Sequence, residues 1–275
     1  MKNIIIVSII TFLLISCNAE ISKPTKNRPH KQSVGAGEDF IRSISKEQER
    51  EILHLIQLFE SQDTNGIVDR VAYPFDRDYP IPAIENKEQM RARFSEVFDE
   101  KLMEEIASSN ADDWSTVGWR GIMLDQGIVW LSDDASLISG INYQTLKEKA
   151  YQKQLIADQK AHVHESIAMF ERPELLSITD RFLVRIDQMP DHSFRYASWK
   201  KGKSQTEQPD LVLTDGTVES SGTGGNHVFS FKTGIYTYNV YRNLLGEGDY
   251  SEINLEVLKS GDKILFESGK LINVR

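Results

Sequence analysis

The residues best suited to binding chemistry lie in a short segment near the middle of the chain. Trp119 and Arg120 stand between two glycines, and Trp130 follows in the next apolar run. An arginine guanidinium suits anionic groups, and tryptophan rings suit the walls of a pocket. We therefore predict that Arg120 anchors an anionic ligand, with Trp119 or Trp130 as the wall. That prediction applies if the sheet encloses a pocket. The interpretation that we favour is a core tryptophan beside a surface arginine that pairs with a carboxylate, because most aromatic residues serve cores.

A histidine pair raises the question of a metal site. His162 and His164 would share one face of a strand, but the surrounding pattern predicts a helix, on which residues two apart diverge. Asp158, His162 and Glu165 have helical spacing, yet no second ligand cluster completes a coordination shell. A solvent-exposed helix face is the interpretation we prefer. We therefore predict neither a metal nor a cofactor.

A glycine-rich stretch in the second half is the remaining candidate for chemistry. Residues 222–226 lack the lysine and hydroxyl of a phosphate-binding loop, and no predicted helix follows them. Asp215, Ser221 and His227 lie nearby in sequence, but no nucleophile elbow is present. Glycines in this setting are typical of a β-turn or a bulge. We predict no catalytic residue.

Cys17, the only cysteine of the chain, stands where an export signal would end. Lys2 precedes an apolar run from Ile4 to Ile15, and a polar segment follows the cysteine directly. This order of charge, apolar run and small residue is typical of a cleaved signal, and the run is too short for a stable membrane span. An ordinary secretory signal with a chance cysteine is the alternative.

The sequence Leu14-Ile15-Ser16-Cys17 resembles the lipobox of bacterial lipoproteins. This resemblance implies acyl chains such as palmitate on Cys17 and an anchor in a membrane of the bacterial cell envelope. Asn18 follows, where the familiar inner-membrane retention signal has aspartate, so we predict the outer membrane, facing the periplasm. Residues 1–16 would be the signal peptide, and residues 17–44 the lipidated cysteine with a disordered polar tether.

The charge of the chain restricts its partners. A formal net charge of −9 argues against nucleic acid, which attracts basic surfaces. It also argues against electrostatic docking on anionic lipid, so we predict that membrane contact depends on the acyl anchor. Apolar residues make up 40% of the chain, which is enough to build cores without disulfides.

Helical and β patterns follow one another in the first half of the exported chain. Capping patterns predict helices that begin after Ser45 and after Asn86, the second extending toward Ile106. An antiparallel meander is predicted over residues 118–124, 128–131 and 137–142, with a turn at Asp125-Gln126-Gly127. Adjacent strand residues face opposite sides, so only one of Trp119 and Arg120 would face the inside of the sheet.

The layout of residues 45–143 resembles an NTF2-like (cystatin-like) domain. The match consists of the helices, a short strand at Tyr73-Pro74-Phe75 and the meander. The resemblance implies a curved antiparallel sheet wrapped on helices around a cone-shaped pocket. That fold hosts hydrolases, isomerases and non-catalytic binding modules, so it does not choose a function. The Asp/His pairs of its enzymes have no counterpart here, since neither the meander nor the helix after Asn86 holds a histidine.

The pattern of the second half of the chain predicts an all-β domain. A helix over residues 147–170 lies in a predicted connecting segment, residues 144–172, and Pro173 opens the β domain of residues 173–275. Hairpin turns are predicted at Asp215-Gly216, Thr233-Gly234 and Ser260-Gly261. Most aromatic residues of these strands are predicted to be core. The predicted fold class is α+β, with an NTF2-like domain followed by a small barrel or sandwich.

These patterns favour a non-enzymatic binding or accessory module that acts on an envelope protein, a glycan or a small anionic ligand. A hydrolase that uses the NTF2-like cavity is one alternative. Lipoprotein inhibitors of lysozyme are another, because the stretch from Asp210 to Gly216 is similar to that family of small exported barrels. A buried titratable residue in a pocket on the concave face of the sheet would favour the enzyme, and a filled pocket the module.

Overall fold

The chain has an α+β fold built from a helix-covered sheet and a β-barrel. The computed structural model describes residues 44–221, 225–244 and 251–272, and Cys17, the tether and residues 222–224 lie outside these ranges. A four-stranded sheet lies in the first half of the described chain, and eight strands form a closed antiparallel barrel in the second half. Within these ranges no helix is long and apolar enough to cross a membrane.

Helices dominate the first half. The α-helices are α1 (Lys46–Glu60), α2 (Thr64–Asp69), α3 (Lys87–Val97), α4 (Glu100–Ala107) and α5 (Leu146–His162). The predicted capping box of α1 is confirmed, because Ser45 Oγ accepts from the Gln48 N–H and the Gln48 side chain accepts from the Ser45 N–H. The apolar face of α1 is buried: Ile52, Leu55, Ile56 and Phe59.

The prediction of one helix from Asn86 toward Ile106 is wrong. Phe98 adopts an extended conformation and ends α3. Asp99 then caps α4, with its carboxylate accepting a hydrogen bond of 3.0 Å from the Leu102 N–H. An aspartate side chain satisfies the free N–H groups of a new helix better than it fits a helix interior, which explains the break.

The four-stranded sheet is an antiparallel meander in the order β1-β2-β3-β4. The strands are β1 (Trp114–Thr116), β2 (Ile122–Leu124), β3 (Val129–Leu131) and β4 (Ile138–Ile141). The turn at Asp125-Gln126-Gly127 is confirmed, with positive φ at Asp125 and Gly127. The predicted strand over 118–124 is too long, because Gly118–Arg120 forms a 3₁₀ turn and Gly121 has a φ of 98°.

Helix α5 is shorter than the predicted helix over residues 147–170. It ends at His162, and a separate 3₁₀ turn spans Glu165–Ile167. His162 Nδ1 contacts the Asp158 carbonyl at 2.6 Å, and His164 caps the 3₁₀ turn. The chain beyond the helix therefore brings Ile167 and Phe170 back as buried residues beside the barrel wall.

The predicted β half is a barrel in which each strand pairs with its neighbours in sequence. Its strands are β5 (Arg172–Thr179), β6 (Phe182–Gln188), β7 (Phe194–Lys200), β8 (Leu211–Ser220), β9 (His227–Thr233), β10 (Tyr236–Arg242), β11 (Ile253–Lys259) and β12 (Asp262–Leu271). Pairing of β12 with β5 closes the ring. Closure pairs β5 with β12 over Gly269–Leu271, so neither strand has the wholly unpaired edge that the end strand of an open sheet would have.

Two of the three predicted hairpin turns are confirmed. The turns at Thr233-Gly234 and Ser260-Gly261 connect β9 to β10 and β11 to β12. Asp215-Gly216 is not a turn, because it lies inside β8 as a bulge at which the pairing with β7 shifts. A Cβ on Gly216 would meet the ring of Phe231 at 2.1 Å, so glycine is needed there for close packing inside the barrel.

Each half has its own apolar core, and both lie in the unit Asp39–Arg275. In the first half, the helices cover the sheet face that carries Ile122, Leu124, Val129 and Leu131, and these side chains are buried. In the second half, inward side chains of all the barrel strands but β12 form the buried core. Alternate strand residues supply these cores, as period-two patterning requires.

Candidate ligand-binding site

A cavity of about 270 Å³ opens at one end of the barrel. This mouth cavity lies at the end where β5 turns into β6, β9 into β10 and β11 into β12. Its apolar walls are Phe182, Leu211, Leu255, Val257, Ile264 and Leu265. Eight-stranded barrels have interiors just wide enough to be filled by side chains or to hold one small ligand. Here the side chains leave the end of the interior open.

The strand pattern explains why apolar residues converge on this end. Leu255 and Val257 alternate with Asn254 and Glu256 on β11, so the leucine and valine point into the barrel. β12 places Leu265 opposite Val257, with Ile264 as the extra residue of a bulge. Ile264 is 55% exposed at the rim, because the bulge lifts it out of the regular alternation.

An aromatic cluster forms the floor of the mouth cavity. The ring of Tyr196 lies 5.7 Å from that of Tyr238 and 5.6 Å from that of Phe231, in tilted arrangements. Aromatic pairs at such distances stabilise a core beyond their buried area. Because Phe231 also packs close to Gly216, four neighbouring strands, β7 to β10, contribute to this floor.

The polar groups of the mouth cavity are uncharged at its floor and charged at its rim. Burial raises the pKa of the Tyr196 phenol, against a hydrogen bond with Ser198, and burial also raises the pKa of Tyr238. Both phenols are therefore neutral at pH 7 and suited to hydrogen bonding. At the rim, the Asp210 carboxylate accepts from the Lys200 N–H at 2.8 Å and from Lys203 Nζ at 2.5 Å.

A seam in the barrel wall adjoins the mouth cavity. The pairing of β12 with β5 covers Gly269–Leu271 only. Where β5 turns away, Glu267 points inward and its carboxylate pairs with the Arg181 side chain and accepts from the Arg181 N–H. Burial opposes ionisation of Glu267, but hydrogen bonds from Arg181 and Thr179 outweigh it and hold the pKa below its usual value.

The mouth cavity is suited to binding a small, mostly apolar molecule. Its walls are aliphatic and aromatic, the hydroxyls at its floor would orient a ligand, and its charged groups, Lys200 and Asp210, lie at the rim. Within the described ranges, no cluster of three or more His, Cys, Asp or Glu side chains has the arrangement of a metal site. The chemistry that the mouth offers is recognition through apolar contact and neutral hydrogen bonds.

A larger cleft of about 490 Å³ lies at the opposite end of the barrel, against the loop that follows Phe75. Two arginines, Arg77 and Arg242, line it together with four carboxylates: Asp76, Asp78, Glu174 and Glu252. Burial raises the pKa of Glu174, although its ion pair of 2.8 Å with Arg172 acts in the other direction. A lining that mixes opposite charges does not define one class of ligand, so the smaller apolar mouth is the better candidate.

The residues predicted as a site lie elsewhere. Trp119 is 66% exposed in the 3₁₀ turn, and Arg120 is the half-buried last residue of that turn. Trp130 pairs with Met123 and Gly140 on the sheet face opposite to the one that the helices cover, with its ring against Gly127. None of the three residues lines the mouth cavity. Their role in binding an anion stays a prediction.

The mouth residues share a feature of the sequence, their position at strand ends, that the alternation of apolar and polar residues does not reveal. Phe182, Leu211, Val257 and Leu265 are apolar residues near the ends of their strands, next to a turn at the same end of the barrel. Inward side chains in the middle of the strands pack against side chains from the opposite wall of the barrel. Inward side chains at the strand ends have no further layer of side chains between them and solvent. Four such residues at one end would have indicated an unfilled mouth.

A buried polar cluster on the outside of the barrel was also not predicted. The Asp187 carboxylate binds Arg185 at 2.6 Å and Arg195 at 2.7 Å, and all three side chains are at most 5% exposed. The Phe170 ring lies 4.8 Å from the Arg185 guanidinium, a cation–π distance. Tyr196 and Trp199, aromatic neighbours of Arg195 in β7, are buried, as predicted for most aromatic residues of these strands.

This polar cluster connects the barrel to the first half of the chain. Arg185 Nη1 donates to the side-chain oxygen of Gln159 on α5 at 3.0 Å, and Gln159 contacts the Tyr79 hydroxyl at 3.5 Å. Burial raises the pKa of Tyr79, against the hydrogen bond from Gln159. The cluster therefore links the barrel to α5, and the charges of Arg185 and Arg195 are paired with the carboxylate of Asp187.

Comparisons of the chain with protein-family models, with curated proteins and with solved structures find no match.

Proposed function

We propose that this protein is a membrane-anchored lipoprotein of the bacterial cell envelope that acts as a non-enzymatic binding module, with the barrel mouth as its ligand site. The observation that carries the proposal is the mouth cavity, whose apolar walls and neutral hydroxyls are left uncovered by the chain's own side chains. Ligand sites are concave, mostly apolar and furnished with a few polar groups, and barrel mouths are frequent positions for them.

The first half of the chain is better suited to a structural role than to catalysis. We infer an NTF2-like domain over residues 45–143, supported by the packing of helices on one face of a four-stranded antiparallel sheet. In an enzyme of that fold, this covered face would enclose the catalytic pocket. Here buried apolar side chains occupy it, Ile52, Leu55, Val129 and Leu131 among them. A filled face favours the binding module over the hydrolase.

The anchor would hold the binding module at the outer membrane, in the periplasm. Cys17 supplies the only thiol of the chain, and the polar residues after it suit a tether. A ligand with apolar character would be met close to the membrane surface. The mouth favours an apolar group of an envelope protein or lipid over a glycan, because its aliphatic walls carry few hydrogen-bonding groups.

Binding of a neutral apolar dye tests the mouth site. The full chain is titrated with N-phenyl-1-naphthylamine, whose fluorescence rises in apolar surroundings. Val257→Phe fills the cavity and should weaken dye binding by at least about tenfold, which corresponds to 1.4 kcal/mol. Val212→Phe is the matched control, because Val212 is 40% exposed on β8 and does not line the cavity. Equal binding by the two variants would place the dye elsewhere and refute the mouth site.

A further inference from the structure

Strand β12 has a free edge beside the mouth cavity. Residues 262–269 pair with β11, but pairing with β5 begins only at Gly269, because β5 ends at Thr179 and the chain turns into β6. Over Asp262–Ser268, no described strand lies on the other side of β12. A free strand edge presents backbone N–H and C=O groups at regular spacing, which is a template for another strand.

The seam is closed in this structure by the side chain of Glu267, and not by backbone pairing of two strands. The Arg181 N–H donates to the Glu267 carboxylate at 3.3 Å, and the Arg181 side chain pairs with the same carboxylate. Arg181 itself is 62% exposed. These contacts use the carboxylate of Glu267 and no backbone group of β12, so the N–H and C=O groups along this edge keep no strand partner in the described part of the chain.

The free edge and the mouth cavity are continuous. Phe182 lies on one side of the seam, Ile264 and Leu265 lie on the other, and all three line the cavity. Beyond them, Phe266 is 53% exposed on the outer face of β12. A ligand that reaches the edge of β12 therefore also reaches the apolar walls of the mouth.

We propose that the ligand of the mouth is an extended polypeptide segment that adds to β12 as a strand and places an apolar side chain in the cavity. The inference rests on the proposed function, which makes the mouth a binding site, and it names the class of ligand. Strand addition gives affinity through main-chain hydrogen bonds, and a pocket for alternate side chains gives specificity. A small apolar molecule would fill the cavity but leave the edge of β12 unpaired.

Two features of β12 limit what can pair with it. The bulge at Ile264 interrupts the regular edge near the turn, which leaves Leu265–Ser268 as the segment able to accept a strand. Lys263 lies next to the bulge and pairs with Glu256 across the outer face at 3.3 Å. Bulges and lysines discourage indiscriminate edge pairing, so the edge is selective for a short segment with the right side chain.

The test uses a fluorescent blocked peptide in which leucine and threonine alternate, with glutamate at both ends. Two further peptides carry N-methyl groups on alternate amides, one along each edge of the strand. Only the amides along one edge of an added strand face β12. We expect saturable binding of the parent peptide to the full chain, a loss of at least about tenfold for one methylated peptide, and retained binding for the other.

Two protein variants separate strand pairing from simple apolar adhesion. Val257→Phe fills the cavity and should weaken the parent peptide as it weakens the dye. Phe266→Thr removes an exposed ring but keeps the edge, so peptide binding should persist. Equal affinity of the two methylated peptides, or loss of binding in Phe266→Thr alone, would overturn strand addition.

The dye titration distinguishes failure of this inference from failure of the mouth site. If the full chain binds the dye in the mouth but does not bind the parent peptide, the site stands and the strand inference is wrong. If Val257→Phe affects neither the dye nor the peptide, the mouth is not a binding site and both proposals fail.

Discussion

Arg185 at the middle of β6 donates a hydrogen bond of 3.0 Å to the side-chain oxygen of Gln159 on α5. Both side chains are buried, so this bond joins the barrel to the helix that follows the four-stranded sheet. A buried polar contact is costly unless it is fully satisfied, and Arg185 also donates to Gln205 at 2.8 Å. The two halves are therefore joined at this point by specific polar contacts.

Substitution of Asp187 should be the most damaging change in this cluster. Asp187→Asn removes the carboxylate that Arg185 and Arg195 share, so both would be left as buried cations without this partner. We expect the free energy of unfolding to fall by about 3 kcal/mol or more, measured by urea denaturation. Arg185→Met should cost less, because Asp187 would keep its ion pair with Arg195.

The control for this cluster is Asp180→Asn, at an exposed position in the turn between β5 and β6. It should leave the unfolding midpoint nearly unchanged. If Asp187→Asn is no more destabilising than Arg185→Met, the carboxylate is not what compensates the two buried arginines.

The ion pair of Arg77 and Glu148 should be essential for the first half. Glu148 is fully buried and binds Arg77 through both oxygens at 2.6 Å, while Arg77 also donates to the carbonyls of Ile141 and Tyr143. Glu148→Ala leaves the guanidinium buried without its carboxylate. The expected loss in the free energy of unfolding is about 3–5 kcal/mol.

An exposed ion pair provides the comparison for Glu148→Ala. Asp69 binds Lys87 at 2.7 Å, but both side chains are about half exposed. Asp69→Ala should therefore change the stability much less than Glu148→Ala, because water screens surface pairs. If the two variants lose similar free energy of unfolding, burial does not make the Arg77–Glu148 pair more important for stability than an exposed pair.

Acid should weaken the seam between β12 and the turn after β5. The folded state holds the pKa of Glu267 below its ordinary value of 4.5, so ionised Glu267 stabilises the fold above that pH. This contribution is lost as the pH falls through the lowered folded pKa. The difference in thermal midpoint between wild type and Glu267→Gln should be largest near neutral pH and should shrink below pH 4.5.

The matched variant for this pH series is Glu219→Gln, at an exposed position on β8. Its midpoint should follow that of the wild type across the series. A difference between wild type and Glu267→Gln that stays constant from neutral to acid pH would mean that the charge of Glu267 does not hold the seam.

The extent to which sequence predicts this protein depends on how local the signal is. The capping box at Ser45 and the turn at Ser260-Gly261 are local, and both are confirmed. Asp215-Gly216 has the composition of a turn, but the same conformation serves a bulge when Phe231 packs on the glycine. That choice is made by a residue from another strand, which local patterning does not identify.

The polar cluster and the mouth cavity illustrate the same limit. Arg185 and Asp187 alternate with Val184 and Ile186 as an exposed polar face would, yet the segment that contains Phe170 covers them. The mouth cavity is lined by residues from six strands that the closed barrel brings to one end. Both features arise from contacts between elements far apart in sequence, whereas the capping and alternation used for prediction are local.

The anion site predicted at Arg120 has its own test. Acetate, succinate and phosphate are added to wild type and to Arg120→Ala, and the thermal midpoint is measured for each. A ligand that binds the native state raises the midpoint, so the wild type should shift and the variant should not. Arg50→Ala, at an exposed position on α1, serves as the control for general charge effects. If no anion shifts the wild type and Arg120→Ala simply melts lower, Arg120 is structural.

Cys17 should carry the lipid anchor. Cells that express the wild type or Cys17→Ala are labelled with palmitate, and incorporation into the purified chain is compared. Because Cys17 is the only cysteine, no other thiol can accept the label. We expect label in the wild type alone and release of Cys17→Ala from the membrane fraction. In a host with two membranes, Asn18→Asp should move the protein from the outer to the inner membrane. Equal labelling of wild type and Cys17→Ala would contradict the anchor, and with it the placement of the barrel mouth at a membrane surface.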